Sequence, residues 1–300
     1  MNPAKLVVII VTATMCVTGA AEPDAEMRSI RVNGVELHYV DRGRGESVVF
    51  VHGALDDYRM WELELEPFAQ HYHVIDYSRR YNFPNENGPP GDGYSAINDA
   101  EDLAALVQKL QLAPAHFVAH SYGGYATLFL AVQHPELVRS LVLAEPAAFC
   151  WARDNPVARP LFIEQMEMMW KPARELFMRG KDKEALRVAL DQLEGDGFYD
   201  RLPQPSRDKL KQNLPEWHAL STSREPFPAL AQSDVARINK PMLLLTGEKT
   251  LPIFKFIDSE LQRLLPKSQH VVIPNAKHEM WADNEETCRR ATLEFLAKAK

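Results

Sequence analysis

Ala119-His120-Ser121-Tyr122-Gly123-Gly124 is the stretch that decides the fold of this 300-residue chain. It follows a short β-prone run, residues 115–118, and precedes an apolar run with helical character, residues 125–131. A serine between a strand and a helix, with small residues two positions before and two after it, is typical of a nucleophile elbow. Ala119 and Gly123 are those small residues, and their size leaves room for a tight turn. The pattern predicts that the Ser121 hydroxyl stands at the edge of a sheet, beside a helix N-terminus that favours negative charge.

Two other segments lie in the order that such an elbow requires. Residues 48–51 form an apolar run that predicts a buried strand, and this run ends in the turn His52-Gly53-Ala54. Residues 269–274 predict the last strand, and of the ten histidines only His278 lies in the loop that follows it. A nucleophile followed later in the chain by its histidine is the order found in α/β-hydrolases. The chain resembles that family from about Ser29 to its end.

The resemblance implies an α/β fold with a mostly parallel eight-stranded sheet and helices on both faces. Alternating strand and helix patterns along the chain agree with it, and Asn33-Gly34 between two alternating runs predicts a hairpin near the start. Residues 149–231 break the alternation, are rich in proline and predict helices. We therefore expect one hydrolase domain over residues 28–300, with a helical cap at about 149–231 inserted after the sixth strand.

The resemblance also implies roles for individual residues. The elbow serine of this family is the nucleophile and the late histidine is its general base, which implies those roles for Ser121 and His278. The backbone N–H groups of Tyr122 and Ala54 are expected to form the oxyanion hole. Haloalkane dehalogenases and epoxide hydrolases are similar but have aspartate at the elbow, so the serine disfavours their chemistry. Five neighbouring residues are expected to line the substrate pocket: His52, Gly53, His120, Phe149 and Trp151.

The acid that would complete a triad has two candidates. Many relatives have an aspartate in a Gly-Glu-x-Asp loop after the seventh strand, but here the loop reads Gly247-Glu248-Lys249-Thr250. Some dehalogenase-like relatives use an acid after the sixth strand, where this chain has Glu145. A glutamate at the end of a buried strand needs a partner to offset its desolvation, and an imidazolium would serve. We therefore favour Glu145, with Glu248 as the alternative.

Arg79 and Arg80 resemble the arginine loop that follows the fourth strand of this fold. The favoured interpretation is structural pairing with Asp99 or Asp102, which lie on the next predicted helix. Binding of an anionic substrate is the alternative.

Composition excludes several classes of function. The chain has a net charge of −7 and no basic run, which argues against a nucleic-acid partner. Cysteine and histidine spacing indicates no metal site, and no motif indicates an organic cofactor. Cys150 and Cys288 could form one disulfide, but two buried free thiols are the favoured interpretation.

The N-terminus has the pattern of a secretory signal peptide over residues 1–21. Lys5 precedes an apolar run, residues 6–17, and small residues follow it. The run is short for a bilayer span, which needs about 20 apolar residues. We expect a secreted or periplasmic protein with no stable membrane span, and an N-terminal membrane anchor is the alternative.

These expectations favour a serine hydrolase that cleaves an ester of a small, partly apolar substrate through an acyl-enzyme. Two alternatives stay open. The same residues could support other α/β-hydrolase chemistry, such as carbon–carbon bond hydrolysis, a lyase reaction or cofactor-free perhydrolysis. The chain could also be a ligand-binding member that has lost catalysis.

Overall fold

The computed structural model describes residues 27–88 and 91–299 of the chain. The expected signal peptide at residues 1–21, and the N-terminal anchor that is its alternative, lie outside these residues. Within the described residues, no helix combines the length and apolar character that a membrane crossing needs.

Eight strands form one sheet in the order β1-β2-β4-β3-β5-β6-β7-β8, which confirms the predicted architecture. β1 pairs with β2 and β2 with β4 in antiparallel fashion, and every other pairing is parallel. The predicted hairpin joins the first two strands, and Asn33 and Gly34 both have the positive φ that such a turn requires. The strands are β1 (Arg28–Val32), β2 (Val35–Gly43), β3 (Ser47–Val51), β4 (His73–Tyr77), β5 (Ala115–His120), β6 (Val138–Ala144), β7 (Met242–Gly247) and β8 (Gln269–Ile273).

Helices cover both faces of the sheet. The central strands β5 and β7 are buried along their whole length, which explains why their sequences are nearly continuous apolar runs. One apolar core includes residues of α2, α3 and α12, and a second core on the opposite face includes residues of α1 and α14. These helices are α1 (Glu62–Ala69), α2 (Ala96–Lys109), α3 (Ser121–Gln133), α12 (Pro252–Leu264) and α14 (Glu285–Leu296), and the short α13 (Met280–Asp283) precedes the last of them.

The chain between β6 and β7 is helical, as predicted, and we call residues 149–235 the cap. Its helices continue four residues beyond the expected boundary at 231, because α11 ends at Val235. Aromatic rings pack the cap against the core: Phe227 lies 5.8 Å from Tyr122 of α3, and Phe149 lies 5.6 Å from Phe254 of α12, between ring centroids. The cap helices are α4 (Phe149–Asp154), α5 (Arg159–Gln165), α6 (Lys171–Met178), α7 (Asp182–Glu194), α8 (Phe198–Arg201), α9 (Gln204–Gln212), α10 (Leu214–Thr222) and α11 (Gln232–Val235), and a π-helical turn (Met166–Trp170) joins α5 to α6.

Cys150 and Cys288 are both buried free thiols. Each lies in a different core: Cys150 packs with α3 and the cap, and Cys288 lies on α14 across the sheet. The favoured interpretation of the two cysteines is confirmed, and the single disulfide is excluded.

Candidate active site

Ser121 lies at the junction of β5 and α3, in the strained backbone that the elbow pattern predicts. Its φ is +51°, a left-handed conformation that is uncommon for a residue with a side chain. The turn is possible because Gly123 has no side chain: a Cβ there would lie 2.3 Å from the His52 carbonyl oxygen. The turn also leaves Ser121 partly accessible, with 9% of its surface exposed, while its neighbours in the turn are more deeply buried.

Ser121, His278 and Glu145 form a continuous chain of hydrogen bonds. Ser121 Oγ lies 2.9 Å from His278 Nε2, and His278 Nδ1 lies 2.6 Å from Glu145 Oε2. Glu145 follows β6 with a φ of +46°, and it is completely buried. The three side chains thus come from the ends of β5, β6 and the loop after β8, which meet at the carboxyl edge of the sheet.

Two further donors hold the Glu145 carboxylate. The backbone N–H of Gly247 donates to Oε1 at 2.7 Å, and the Thr250 hydroxyl donates to Oε2 at 2.7 Å. Thr250 occupies the position where many relatives have the acid, so here this loop supplies a donor to a carboxylate on the neighbouring strand. The sequence pattern marked Thr250 as a departure but did not reveal this contact.

The partners of His278 determine its tautomer. Because the Glu145 carboxylate accepts, the proton lies on His278 Nδ1, and Nε2 is free to accept the Ser121 hydroxyl proton. Burial lowers the pKa of His278, which keeps the ring neutral and able to act as a base. Burial raises the pKa of Glu145, and the hydrogen bonds from Thr250 and Gly247 oppose that change. The ring of Phe254 stacks on His278 at 4.0 Å between centroids and restricts its orientation.

Glu248, the alternative acid, lies elsewhere. It is exposed, and its Oε2 accepts the backbone N–H of Asn275 at 2.7 Å. The residue follows β7, and its carboxylate accepts from the loop that precedes His278 rather than from the histidine ring. The structure therefore brings Glu145, and not Glu248, to the histidine.

The expected oxyanion turn lies directly against the elbow. A Cβ at Gly53 would lie 3.2 Å from Ser121 Cβ, so the absence of a side chain allows the two turns to approach. Ala54 and Tyr122 both line the small cavity that contains Ser121, and Tyr122 lies in the first turn of α3. The two residues that are expected to supply the oxyanion donors thus lie around the same cavity as Ser121.

Ser121 lines a small cavity, and a larger groove adjoins that cavity. An apolar cavity of about 40 Å³ lies between the carboxyl edge of the sheet and the cap. A groove of about 580 Å³ extends from it between the cap and α1. The two spaces share Ala54, Leu55, Leu193 and Glu279. A helical cap sequence does not show which of its apolar residues turn inward. The structure places Met169, Trp170, Trp217 and Phe227 of the cap in the lining of the cavity, together with Phe254 of α12.

The structure corrects part of the expected pocket lining. His120 and Phe149 line the cavity, but Trp151 does not. Trp151 lies two positions after Phe149 on α4, roughly 200° around the helix. It lines a separate space between α3 and the two ends of the cap, and it donates its Nε1–H to the Leu230 carbonyl.

His52 and Gly53 also lie outside the lining of the cavity. His52 is completely buried beneath the turn, where its ring contacts backbone groups of Gly53 and Arg79. Gly53 faces the side chains of His120 and Ser121 rather than open space. Both residues therefore support the turn over residues 52–55 and do not line the cavity.

Asp56 and Glu279 are two carboxyl groups in the groove, next to the passage into the small cavity. No ion pair to either carboxyl is present among the residues that the structure describes. Burial, together with the charges of Asp57 and Glu216, raises the pKa of Asp56 to about 7. Burial and the nearby carboxyl of Asp56 raise the pKa of Glu279. Two carboxyl groups thus lie beside the passage, and the nearby charges of Arg79 and Arg59 oppose the rise in the pKa of Asp56.

His120, His278 and Glu279 each offer one possible metal ligand, with the three atoms within 4.8 Å of one another. Both nitrogens of His278 already contact Ser121 and Glu145. A metal ion bound by this group would have to break one of those two hydrogen bonds.

The fold is that of a known family. The family model described as alpha/beta hydrolase fold matches residues 46–285, and the chain belongs to the α/β-hydrolase family. A 2-(acetamidomethylene)succinate hydrolase of Mesorhizobium japonicum is 23% identical over 273 residues, covering 90% of this chain and 94% of that protein.

Solved structures share the fold at lower identity. The enol-lactonase of Burkholderia xenovorans LB400 has a TM-score of 0.74 at 20% identity and covers 90% of this chain and 100% of its own. The carboxylesterase CesB of Bacillus subtilis has a TM-score of 0.71 at 20% identity and covers 92% of each chain. These similarities support an enzyme of the α/β-hydrolase class.

Proposed function

We propose that the protein is a serine hydrolase that cleaves a carboxylic ester of a small, partly apolar substrate through an acyl-enzyme. The observation that carries the proposal is the unbroken chain of hydrogen bonds from Ser121 through His278 to Glu145. This chain supplies a nucleophile, a neutral base and a buried acid, which are the three parts that acyl transfer needs. An enol-lactonase and a carboxylesterase share the fold, and both names refer to cleavage of an acyl–oxygen bond.

The proposed reaction has two steps. Ser121 Oγ attacks the ester carbonyl while His278 Nε2 takes the serine proton, and the oxyanion is held by the N–H groups of Tyr122 and Ala54. The tetrahedral intermediate collapses, the bond to the alcohol breaks, and His278 gives its proton to the leaving oxygen. A water molecule then loses a proton to His278 and attacks the acyl-enzyme, which releases the acid and restores Ser121.

The dimensions of the two spaces favour a short acyl group. A cavity of about 40 Å³ has room for roughly three water molecules. The apolar walls of that cavity suit a short hydrocarbon, while the groove of about 580 Å³ has room for the alcohol part. We expect acetate and butyrate esters to be better substrates than octanoate esters.

Labelling with a fluorophosphonate probe tests the proposal. The probe should add to Ser121, as located by mass spectrometry of peptides, and Ser121→Ala should abolish both labelling and hydrolysis of p-nitrophenyl acetate. Ser223→Ala is a matched control, because Ser223 is also a buried serine but its hydroxyl donates to the Tyr94 carbonyl away from the site. A folded protein that neither reacts with the probe nor hydrolyses any ester of a short-chain panel would refute the proposal.

We also propose that residues 1–21 direct export and are removed, so that the enzyme acts outside the cytoplasm. The support is the pattern of Lys5, an apolar run and small residues at the N-terminus. N-terminal sequencing of the protein from the cell exterior or periplasm should find a start near residue 22. A chain that keeps Met1 in the membrane fraction would favour the anchor instead.

A further inference from the structure

The peptide unit that joins Gly53 to Ala54 is held through its carbonyl group. The Gly53 oxygen accepts from Arg79 Nη2 at 2.9 Å and from His52 Nδ1 at 2.8 Å. The N–H on the opposite side of the same planar unit belongs to Ala54, the proposed oxyanion donor. Two donors to the carbonyl therefore fix the plane of the amide, and with it the direction of the Ala54 N–H.

The tautomer of His52 agrees with this arrangement. Its Nε2 accepts the backbone N–H of Arg79 at 3.0 Å, so the proton is on Nδ1, where it faces the Gly53 oxygen. Burial, and then the charge of Arg79, lower the pKa of His52 to about 3. The ring is therefore neutral, and its one N–H, at Nδ1, donates to the Gly53 carbonyl oxygen.

Glu216, on cap helix α10, extends this arrangement from the core to the cap. Its Oε1 accepts from Arg79 Nη2 at 2.7 Å, and its Oε2 accepts the backbone N–H of Leu55 at 3.1 Å. Leu55 has a φ of +64°, a left-handed conformation that persists in a residue with a side chain only where the surroundings enforce it. The Glu216 carboxylate thus holds Leu55 directly, and it holds Gly53 through Arg79.

The burial of these groups shows how closely they are held. Arg79, Asp99 and Glu216 each have 1% or less of their surface exposed. Arg79 Nη1 donates to Asp99 Oδ2 at 2.6 Å. Fully buried charges of this kind keep their geometry only when each finds its partners. The predicted structural pairing of Arg79 is thus present, but it includes a cap residue that the sequence did not indicate.

A neighbouring ion pair provides the comparison. Arg80 donates to Asp102 at 2.7 and 2.8 Å, from the same loop to the same helix α2. This pair is partly exposed and contacts no residue of the turn over residues 52–55. Arg80 and Asp102 therefore already hold the loop after β4 against α2, without contacting the turn.

We propose that Glu216 is a positioning residue for the oxyanion hole, an inference that rests on the proposed serine hydrolase function. Through Arg79 and the Leu55 N–H it sets the orientation of the Gly53–Ala54 peptide. Because Glu216 belongs to the cap, the oxyanion donor is fully oriented only while α10 is docked on the core. The cap therefore contributes to transition-state stabilisation as well as to the walls of the substrate cavity.

The Glu216→Gln variant of the whole protein tests this inference. Removal of one oxyanion donor costs roughly 10²–10³ in kcat, so a donor that is present but misdirected should cost about 10- to 100-fold. KM for p-nitrophenyl acetate should change less than about threefold, because the ground-state carbonyl depends less on the hole. Affinity for a trifluoromethyl ketone, which forms a tetrahedral adduct with serine, should fall in parallel with kcat/KM. Affinity for an ether analogue, which has no carbonyl, should stay within about twofold.

Asp102→Asn is the matched control, and it should leave kcat and trifluoromethyl ketone affinity within about twofold of wild type. If Glu216→Gln does not fold, Glu216→Asp takes its place. The shorter carboxylate keeps the charge that Arg79 needs but does not reach Arg79 and the Leu55 N–H together.

The outcomes separate the two proposals. An active wild-type enzyme whose folded Glu216 variant keeps its kcat and trifluoromethyl ketone affinity overturns the positioning role alone. Equal losses of ketone and ether affinity also overturn it, since they would show a general effect on the pocket. A wild-type protein that neither reacts with the fluorophosphonate nor hydrolyses esters overturns the serine hydrolase function and the positioning role with it.

Discussion

Replacement of Glu145 by glutamine is the sharpest test of the proposed acid. Glutamine has nearly the same shape but only one acceptor oxygen, whereas Glu145 accepts from Gly247 at Oε1 and from Thr250 and His278 at Oε2. If the amide oxygen faces Gly247, its NH₂ group faces His278 Nδ1. That ring must then carry its proton on Nε2, where it can no longer accept from Ser121.

The alternative orientation of the amide is costly. It would place the NH₂ group against the Gly247 N–H and leave a buried donor without an acceptor, at a cost of about 1–3 kcal/mol. The tautomer that cannot act as a base is therefore favoured by roughly 10- to 100-fold. Loss of the negative charge that stabilises the imidazolium adds to this effect. Together they account for a loss in kcat of about 10⁴-fold, as in other enzymes with a triad acid replaced by its amide.

The assay is steady-state hydrolysis of p-nitrophenyl acetate, with circular dichroism and thermal unfolding to verify the fold. We expect Glu145→Gln to bind substrate normally and to turn over about 10⁴-fold more slowly, equivalent to about 5.4 kcal/mol of activation free energy. Glu248→Gln is the matched control, because its exposed carboxylate contacts Asn275 and not His278. A folded Glu145→Gln enzyme within tenfold of wild type, or an equal loss in Glu248→Gln, would refute the assignment.

Three other predictions use the surroundings of the site. Thr250→Val removes a donor that lowers the pKa of Glu145, so the acid limb of the kcat/KM profile should move to higher pH; an unchanged limb would contradict a functional contact. Because the pKa of Asp56 is raised to about 7, its negative charge is present above that pH and lost below it. The preference for a cationic choline ester over a neutral ester of equal size should therefore increase as pH rises through about 7, and Asp56→Asn should remove this dependence. Ala189→Leu should fill part of the small cavity and reduce kcat/KM for butyrate esters more than for acetate esters, as measured with a chain-length series; equal reductions would place the acyl group elsewhere.

The sequence predicted the parts of the site that depend on strand order. Ser121 and Tyr122 begin the helix that follows β5, and His278 lies in the loop after β8. Such positions follow from the alternation of strand and helix. Glu145 could also be predicted from the sequence, because a glutamate at the end of an apolar strand needs a partner for its buried charge. These inferences used the spacing of residues along the chain, the chemistry of each residue type and the resemblance to the α/β-hydrolase family.

Contacts between the cap and the core were not predictable in the same way. Glu216 lies more than 130 positions from Arg79 and 161 from Leu55, and no local pattern around it differs from an ordinary helix. Trp151 was misplaced because its position beside Phe149 in sequence says nothing about the helix face it occupies. The docking of the cap helices determines these contacts, and it depends on packing over the whole interface.

Thr250 and Glu145 have a consequence for how such enzymes can be altered. Their side-chain oxygens lie 2.7 Å apart although they follow different strands, β7 and β6, which are adjacent in the sheet. Side chains that follow β6 and β7 thus meet in the same space, and a carboxylate from the end of either strand could occupy it. We therefore predict that Thr250→Asp combined with Glu145→Gly moves the acid from the end of β6 to the end of β7 while Ser121 and His278 keep their positions. The glycine suits the left-handed backbone at position 145, so the exchange would relieve strain there rather than create it.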